Sequence, residues 1–403
     1  MKILFLGSLV TAEAAEELNR NSREKASVAP VNYETMLVKG LVENGHEVEA
    51  ISVPAVAAYP NSAYKTVPAR SERLDGGVSV KWLSFINLPI LKQWSIKRSA
   101  TRALKKWLKE NKDCADKAVM MYSVYPPYSA PAVRLCKKYG CHLNAVITDL
   151  PEYMYSWKQS RGLKGWYAGR LSRQMLDLQT RSDSYVLFTE KMAARMGVAD
   201  KPYLVSEGFS DIHVYDGLPA AEKYGKKTVI YAGNLSRLYG IRPLVDAFMQ
   251  TEGDYELHLY GAGPDAAYVQ ECAEKDARIK FFGRVERREV LLALRRAHLI
   301  AINKPTADDY SNYSFSSKIL ESMASGTPVL MTRVGGMPTD YHGYVYLWED
   351  ESAEGLASGL RAVLEKPDGE LVAKGRAAAE FAVREKDYVP QCKKISEFLK
   401  KTV

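Results

Sequence analysis

The sequence predicts an α/β protein of two Rossmann-like, doubly wound parallel-sheet domains that face each other across a cleft. The chain has 403 residues, which is too long for one ordinary hydrophobic core. Short apolar strands alternate with helical segments in both halves, as in the βα units that build parallel sheets. We expect an N-terminal domain over residues 1–212, a C-terminal domain over residues 213–384, and a last helix within residues 385–403 that packs back on the first domain.

The composition is that of a globular protein without disulfide or metal signatures. No run of 18 or more apolar residues occurs, and the opening MKILFLG passes directly into polar sequence, so we expect neither a membrane span nor a signal peptide. The five cysteines form no C-x-x-C pair, and the six histidines lack metal-ligand spacing. We therefore expect a reduced, cytoplasmic chain with no protein-held metal and no cofactor.

The positive charge of the chain is unevenly distributed. The net charge is +8, but residues 1–210 carry 30 Lys and Arg against 20 Asp and Glu, whereas residues 211–403 carry 26 against 28. An excess confined to one half indicates that this half meets an anionic partner. The alternative is an uneven surface that serves solubility alone.

Residues 81–112 hold most of this excess and interleave it with aromatic and aliphatic residues. Such a segment suits an anionic membrane surface, which makes a peripheral location on the inner face of the cell membrane one interpretation. The other is a helix with a core face and a solvated basic face. No nucleic-acid module is recognised, so we expect no nucleic acid. The basic residues are Lys81, Lys92, Lys97, Arg98, Arg102, Lys105, Lys106, Lys109 and Lys112, against the single acid Glu110.

The first half opens with an apolar strand at residues 2–6 that ends at Gly7, and the polar residues 10–30 after it are expected to form a long mobile loop. Because open α/β sheets bind ligands at the carboxyl ends of their strands, we interpret this loop as a substrate lid. Another strand, residues 143–148, delivers Asp149 at its carboxyl end. Asp149 is therefore a candidate reacting group, although Asp before a helix that starts with Pro is also a capping signature.

The second half contains a stretch, NYSFSSKILESMASGTPVL at residues 312–330, that reads as a serine-rich turn, a short helix and a buried strand. Ser316 and Ser317 are suitable N-cap residues, and Gly326 ends the helix. A helix start with hydroxyl groups and the charge of Lys318 is a ready anion site. Glu321 lies on the same side as Lys318, and we expect a nucleotide diphosphate at the helix start with its ribose hydroxyls on Glu321.

Glycine also ends three strands of the second half, at Gly233, at Gly261 with Gly263, and at Gly283. Glycine lets backbone N–H groups approach a phosphate or base closely. The segment 261–266 fits G-x-G-x-x-A, but the next strand ends in Phe-Gly-Arg instead of the acid that a dinucleotide ribose requires. A dehydrogenase is therefore disfavoured.

These segments together resemble the retaining, two-Rossmann (GT-B) glycosyltransferases of glycosyltransferase family 4. YAGNLSRLYGIRPLVDAF at residues 231–248, then LYGAGP, FFGRVERREVLLAL and SFSSKILESMASGTPVL, follow the family's order and spacing. LVSEGFSD at residues 204–211 is similar to its interdomain signature. The resemblance covers nearly the whole chain and is strongest from about residue 228 to residue 340.

The chain departs from the family pattern at three charged positions. The family's phosphate-binding Arg and Lys would fall on Asn234 and Tyr239, and the first of its paired glutamates would fall on Tyr313. By the family pattern, Lys318 helped by Arg237 would supply the cation for the leaving diphosphate, and Glu321 would bind the donor ribose. The full donor-binding expectation comprises Gly7, Gly233, Asn234, Gly261, Gly263, Arg284, Val285, Ser316, Ser317, Ile319 and Glu321, with Asp149, Lys318 and Arg237 as catalytic residues.

The resemblance implies metal-independent transfer, with retention, of a sugar from a UDP- or GDP-linked donor. The acceptor it implies is a lipid-linked or growing surface-polysaccharide glycan. Asp149 is expected to orient the acceptor or to stabilise cationic sugar character. Two alternatives remain: a non-catalytic nucleotide-sugar-binding partner subunit, which the altered Asn234, Tyr239 and Tyr313 motivate, and a sugar-nucleotide epimerase of the same fold.

Overall fold

A computed structural model describes residues 1–26, 29–74, 76–154, 162–307 and 309–403. The chain forms two compact units. The first comprises Met1–Ser206 together with Tyr388–Val403, and the second comprises Glu207–Asp387. Within the described residues, none of the helices combines the length and hydropathy that a membrane crossing requires.

The first unit is built on an eight-stranded sheet in the order β10-β9-β8-β7-β1-β2-β5-β4. All neighbours are parallel except β4 and β5, which pair antiparallel. The strands β3 and β6 form a separate antiparallel pair. The strands are β1 (Lys2–Gly7), β2 (Glu47–Ser52), β3 (Thr66–Val67), β4 (Ser71–Arg73), β5 (Ser79–Trp82), β6 (Phe85–Ile86), β7 (Lys117–Tyr122), β8 (His142–Ile147), β9 (Ser184–Leu187) and β10 (Tyr203–Val205).

Helices connect the parallel strands of the first unit, as the βα rhythm of the sequence predicts. They are α1 (Ala12–Arg20), α2 (Ala29–Glu43), α3 (Leu91–Glu110), α4 (Pro126–Tyr139), α5 (Pro151–Met154), α6 (Gly162–Gln179) and α7 (Glu190–Met196), with the C-terminal helix Tyr388–Thr402 numbered α14 in chain order. The side chains of Met154 and of residues 162–168 are outside the described part of the chain.

The C-terminal helix α14 packs on α2 of the first unit, as the sequence predicts. Gly40 makes this possible, because a Cβ there would lie 2.5 Å from the Sγ of Cys392. The Tyr388 hydroxyl donates to Glu43 Oε1 at 3.0 Å, and His46 Nε2 lies 2.6 Å from the Ser396 hydroxyl. The close helix contact and these hydrogen bonds fix α14 to the first unit, although the whole second unit separates the two in sequence.

The second unit contains a six-stranded parallel sheet in the order β13-β12-β11-β14-β15-β16. Its strands are β11 (Lys227–Asn234), β12 (Tyr255–Ala262), β13 (Ile279–Gly283), β14 (Leu299–Ile302), β15 (Val329–Thr332) and β16 (Tyr346–Trp348). Its helices are α8 (Ile241–Gln250), α9 (Ala266–Lys275), α10 (Arg287–Arg296), α11 (Ser317–Ala324), α12 (Ala353–Leu364) and α13 (Asp368–Phe381).

Successive residues of these strands bury into two different cores, one on each face of the sheet. In β11, Val229 and Tyr231 join one hydrophobic cluster, and Ile230 between them joins the other. In β15, Leu330 joins the first cluster and its neighbour Met331 the second. A sheet covered on both faces is the doubly wound arrangement. The doubly wound arrangement is therefore confirmed in the second unit, and the mainly parallel sheet with its connecting helices confirms the α/β class of the first unit.

The expected long loop at residues 10–30 is wrong for residues 12–20, and for residues 29–30, with which helix α2 begins. Ala12–Arg20 forms helix α1, whose N-cap Thr11 accepts from the backbone N–H of Ala14 at 3.3 Å. Ala14 and Leu18 are buried, one turn apart. The segment is polar because it is an amphipathic surface helix rich in Ala, Glu and Leu, which are strong helix formers. Residues 27–28 of this expected lid are outside the described part of the chain.

A buried lysine holds the two ends of the second unit together. Lys386, in the π-helical turn Ala382–Lys386, is 4% exposed, and its ammonium bonds to Glu207 Oε1 and lies 3.1 Å from Asp340 Oδ2. The same Glu207 oxygen accepts from the Tyr341 hydroxyl at 2.8 Å, and the ammonium lies 4.6 Å from the centre of the Tyr341 ring. Glu207 begins the second unit, and Lys386 lies one residue before its end.

Lys386→Met should destabilise the protein by about 3–5 kcal/mol, because it leaves the buried Glu207 carboxylate without its cation. The double variant Lys386→Met/Glu207→Gln should recover much of this loss, since glutamine removes the charge and still accepts from the Tyr341 hydroxyl. Urea unfolding followed by circular dichroism measures both. Lys275→Met, which removes one partner of the exposed ion pair with Glu271, is the matched control and should cost less than about 1 kcal/mol. An equal loss in the two single variants would contradict a stabilising buried pair.

Candidate functional site

In the second unit the candidate site lies at the carboxyl ends of β11 and β14. The chain runs outward from β11 to β12 and β13, then returns to β14 on the other side of β11. This reversal is the topological switch point where open α/β sheets bind ligands. Gly240, with φ of +64°, fixes the geometry, because a Cβ there would lie 1.7 Å from the carbonyl oxygen of Asn303. The Asn303 amide also donates to the Gly240 carbonyl at 3.2 Å, so the start of α8 is held against the end of β14.

Helix α11 brings Lys318 to this switch point. Ser316 is the N-cap residue, as predicted, but its side chain makes no capping hydrogen bond. A Cβ on Gly233 would lie only 3.0 Å from the Lys318 ammonium nitrogen, and the ammonium lies 5.8 Å from the centre of the Tyr239 ring. Lys318 as a whole is exposed, yet protein surrounds its ammonium closely enough that desolvation lowers the pKa of Lys318, while the Glu321 carboxylate opposes the shift. Two residues predicted for the site, Gly233 and Lys318, are thus brought together.

Glu321 is held by an arginine that the sequence did not single out. Its Oε1 lies 3.4 Å from Nη2 of Arg287, the first residue of α10, and its backbone carbonyl accepts from the Tyr215 hydroxyl at 2.9 Å. Glu321 is half-buried, whereas the Arg287 side chain is largely exposed. The carboxylate is therefore oriented by a cation while part of its surface stays accessible.

The glycines at the end of β12 pack against the end of β11. A Cβ on Gly261, whose φ is +135°, would lie 1.8 Å from the Gly233 carbonyl oxygen, and one on Gly263 would lie 2.2 Å from the Leu235 carbonyl oxygen. The Leu235 N–H donates to the Ala262 carbonyl at 3.0 Å. Close backbone packing thus accounts for both glycines, and a contact of either with a donor stays a prediction.

The other predicted donor residues occupy varied surroundings. Asn234, Arg237 and Arg284 are exposed, and Val285 packs against the second hydrophobic cluster. Ile319 does not fit its predicted role, because its side chain is 2% exposed within that cluster and its N–H donates to the Ser316 carbonyl at 3.0 Å. The side chain of Ser317 is outside the described part of the chain.

A second cation at this edge of the sheet, Lys304, was missed from the sequence. It follows β14 by two residues, its ammonium bonds to the Ser314 hydroxyl, and it lies 4.6 Å from the centre of the Tyr310 ring. The only sequence signal was a basic residue just beyond a strand's carboxyl end. Among the described residues, no group of three or more His, Cys, Asp or Glu side chains is placed to hold a metal ion.

In the first unit a buried carboxyl group occupies the switch point between β1 and β7. Glu34, on α2, is fully buried, and one of its oxygens lies 2.2 Å from where a Cβ on Gly7 would be. The Ser8 N–H donates to Glu34 at 2.7 Å, and the Ser8 hydroxyl lies 2.6 Å from the other oxygen. Desolvation raises the pKa of Glu34 to about 8, and the hydrogen bonds from Ser8 oppose the shift. Gly7 thus admits the carboxyl group, which accounts for a glycine at this strand end.

Asp149 lies at the carboxyl end of β8, next to the strand that ends in Tyr122. The Thr148 hydroxyl donates to Asp149 Oδ2 at 3.3 Å and lies 3.2 Å from the Tyr122 hydroxyl. Burial raises the pKa of Tyr122, which therefore stays a neutral donor or acceptor. Asp149 is half-buried. The structure places this predicted residue at the ligand-binding edge of its sheet, in a chain of polar groups that reaches β7.

Glu34 has a sequence signal that could have identified it. Leu37, Val38 and Leu41 are buried on α2, and Glu34 precedes them by three, four and seven residues, on the same helix face. A single acid on the apolar face of a helix that follows the first strand of an α/β domain is a candidate for a buried functional or structural carboxyl group.

The sequence of the chain is similar to those of known glycosyltransferases in its second half. Residues 226–366 match the family described as "Glycosyl transferases group 1", and this segment contains the part of the chain in which the sequence resemblance to glycosyltransferases is strongest. N-acetyl-alpha-D-glucosaminyl L-malate synthase of Bacillus anthracis is 31% identical over 163 residues, which are 37% of this chain and 41% of that protein. The chain thus spans less than half the length of this curated relative.

Two solved structures resemble the whole chain in fold. Sucrose-phosphate synthase from Thermosynechococcus elongatus has a TM-score of 0.63 at 15% identity, covering 100% of this chain and 99% of that one. Anabaena HepE in complex with UDP and glucose has a TM-score of 0.60 at 17% identity, covering 100% of both chains. At these identities the likeness establishes the fold.

Glu34→Gln should gain stability relative to the wild type as the pH rises. In the unfolded chain the carboxyl titrates near its ordinary value of 4.5, but in the fold near 8. The folded state therefore holds the extra proton between these values, so the stability that it contributes is complete below pH 4.5 and is lost as the pH rises through about 8. Glutamine mimics the neutral carboxyl group, because it can accept from the Ser8 N–H and donate to the Ser8 hydroxyl.

Thermal unfolding of the two proteins, measured from about pH 5 to about pH 9, checks this. The difference between their free energies of unfolding should grow by up to about 1.4 kcal/mol per pH unit. Glu16→Gln, at an exposed position of α1, is the control and should follow the wild type. Parallel profiles for Glu34→Gln and the wild type would show that Glu34 does not titrate in this range.

Proposed function

We propose that this chain, whose residues 226–366 match the group 1 glycosyl transferases, transfers a sugar from a nucleotide-sugar donor to a glycan acceptor. The observation that carries the proposal is the position of Lys318, whose ammonium lies against Gly233 at the switch point of the second sheet. A lysine there, at the first turn of a helix, suits the diphosphate of such a donor. The likeness in fold to HepE, a protein solved in complex with UDP and glucose, supports this class of ligand.

The diphosphate would bind between Lys318 and the backbone N–H groups at the start of α11. Departure of the nucleotide diphosphate leaves negative charge on its oxygens, and a fixed cation with oriented N–H groups stabilises that charge without a metal. Arg237 lies in the turn Arg237–Tyr239 beside the same strand end. It is the second proposed cation, since Asn234 and Tyr239 carry no charge where the family pattern has Arg and Lys.

Glu321 would accept hydrogen bonds from the ribose hydroxyls. Arg287 supports this role, because its Nη2 lies 3.4 Å from Glu321 Oε1 and so orients the carboxylate. The turn Gly283–Arg284–Val285 at the end of β13 would meet the base. A uracil or guanine base, and hence a UDP- or GDP-linked sugar, is the donor class that we propose.

Transfer would proceed with retention of configuration at the sugar. The bond from sugar C1 to the diphosphate oxygen breaks, and the acceptor oxygen forms its bond to C1 on the same face. The acceptor proton passes to the departing phosphate oxygen. Asp149, at the carboxyl end of β8 in the first unit, would orient the acceptor hydroxyl or stabilise positive charge on the sugar; its half-buried carboxylate supports either role.

The acceptor class that we propose is a lipid-linked or growing surface-polysaccharide glycan, and the location is the cytoplasm or the inner face of the cell membrane. A second candidate function, a non-catalytic nucleotide-sugar-binding subunit, is favoured by Tyr313 and by the uncharged Asn234 and Tyr239. Thermal shift with a panel of UDP- and GDP-linked sugars in the presence of a chelator identifies the donor for either function. Formation of a glycosylated product then distinguishes the enzyme from the binding subunit.

Lys318→Ala should weaken the binding of UDP or GDP, whichever the panel selects, by tenfold or more, or about 1.4 kcal/mol. The reason is that the variant removes the cation from the diphosphate position. Isothermal titration calorimetry measures the affinity, and Lys280→Ala, at an exposed position of β13, is the control. Unchanged affinity in Lys318→Ala would remove Lys318 from the site.

Asp149→Asn should leave donor binding intact while turnover falls by two orders of magnitude or more, the scale of lost acid–base or electrostatic catalysis. Asparagine retains an acceptor for the Thr148 hydroxyl, so the local structure is preserved. Release of the nucleotide in the presence of the selected donor and a membrane-derived glycan fraction measures turnover, and calorimetry measures donor affinity. A variant with wild-type turnover would exclude Asp149 from the reaction.

A further inference from the structure

Much of the basic and aromatic segment at residues 81–112 is used by the fold. Trp82 and Phe85 are buried in the first unit. Lys81 forms an ion pair with Glu49 at 2.8 Å, and the ammonium of Lys92 donates to the backbone carbonyl of Val56 at 2.5 Å. Trp82, Phe85 and Lys92 are therefore engaged within the fold, and Lys81 already has a carboxylate partner, so the interaction surface must be sought on α3 and the residues directly before it.

Helix α3 presents a continuous row of exposed cations on its outer face. Its inner face is a normal core face: Ile96, Ala100, Leu104 and Leu108 are fully buried. The exposed cations are Lys97, Arg98, Arg102, Lys105, Lys106 and Lys109. Of these, 98, 102, 105 and 109 are three or four residues apart and so lie along one face of the helix. The acidic residue Glu110 lies at the C-terminal end of the helix. It is 3.8 Å from Lys106, which is not one of these four residues.

An apolar tip begins the same row. Ile90 is 82% exposed, Trp94 is 56% exposed and Leu91 is 44% exposed. Ile90 has a φ of +69°, a left-handed conformation that is strained for a β-branched residue, directly before the helix. The fold thus exposes a large aliphatic side chain next to an exposed tryptophan. Single exposed apolar residues are common and need no explanation, but adjacent ones form a patch that indicates an interaction site.

The tip and the row meet at Trp94. The Arg98 guanidinium lies 5.5 Å from the centre of the Trp94 ring, one helical turn along. Trp94, Lys97, Arg98, Thr101 and Arg102 line a shallow depression at this point. A tryptophan flanked by lysine and arginine is the arrangement found where a protein enters the boundary between lipid headgroups and acyl chains.

We propose that the face formed by Ile90, Leu91, Trp94 and the cation row of α3, here called the α3 face, docks on an anionic membrane surface. The apolar tip enters the headgroup boundary, and the cations contact lipid phosphates. Charge complementarity and the exposed aliphatic tip together select this partner, because a nucleic acid would use the cations but has no place for Ile90 and Leu91. The proposal goes beyond the transferase function and does not depend on it.

The two parts of the face make separable contributions. Cations attract the protein to anionic lipid and lose that attraction as salt screens the charges. The apolar tip adds a contribution that salt does not weaken, and a single signal of either kind gives only marginal binding. Removal of either part should therefore abolish stable binding, whereas a chain that binds through charge alone would tolerate loss of the tip.

Flotation of the full chain with vesicles tests the proposal. The wild type should float with vesicles of phosphatidylcholine and phosphatidylglycerol, should not float with phosphatidylcholine alone, and should be partly released by salt. Arg98→Glu/Arg102→Glu/Lys105→Glu should lose at least tenfold in vesicle affinity, and so should Ile90→Ser/Trp94→Ser. Lys393→Glu/Lys400→Glu/Lys401→Glu reverses three exposed charges on α14 of the same unit and should float as the wild type does.

Tryptophan quenching by brominated lipid keeps the test independent of how well the charge variants fold. Vesicle-bound wild type should show quenching that Trp94→Phe lacks. The proposal is overturned if the wild type does not bind anionic vesicles, if the α14 control loses binding to the same extent, or if Trp94 is not quenched. Binding of an oligonucleotide that depends on the cation row, without binding to vesicles, would likewise overturn it in favour of a nucleic acid.

Discussion

Backbone-to-backbone contact at three strand ends determines the candidate site of the second unit. Gly261 and Gly263 allow the end of β12 to lie against Gly233 and Leu235, and Gly240 allows the start of α8 to lie against Asn303. A side chain at any of these glycines would collide with main-chain atoms, which cannot move aside as a flexible side chain can. The Lys318 ammonium reaches the end of β11 because Gly233 leaves space there. A glycine at this strand end thus allows the lysine to reach the site.

In the first unit, a glycine also leaves space at the end of a central strand, but a carboxyl group occupies it. The space beside Gly7 at the end of β1 is filled by the carboxyl group of Glu34, which comes from helix α2. Burial favours the neutral form of this group, whereas the half-buried Glu321 of the second unit lies 3.4 Å from Nη2 of Arg287. Two carboxyl groups at equivalent sheet edges therefore differ in chemistry: one is suited to hold the strand end together, and the other is suited to accept hydrogen bonds from a ligand.

The elements of the fold were predictable from the sequence, but the contacts between them were not. Helix α11 and its N-cap Ser316 followed from capping chemistry and from Gly326, all within a few residues. By contrast, Lys318 meets Gly233 across 85 positions of the chain, and no local pattern reports such a pairing. Arg287 and Lys304 were missed for the same reason. Ile319 is predicted as a donor residue, but its apolar character, one turn before the buried Met323, indicates the core. Helix α1 is not predicted, because a polar composition of this kind is also typical of a surface loop.

The lowered pKa of Lys318 bears on how one lysine can serve where the family pattern has more positive charge. Partial desolvation means that its ammonium has already lost part of its hydration before any ligand arrives. An anion that bound beside it would therefore require less further desolvation of the ammonium than an anion that bound a fully hydrated lysine. The Tyr239 ring, whose centre lies 5.8 Å from the ammonium, attracts the cation only weakly through its quadrupole. It therefore does not replace the hydration that the ammonium has lost. The Glu321 carboxylate opposes the lowering of the Lys318 pKa and so favours the charged ammonium, which is the form that the diphosphate we propose for this site requires.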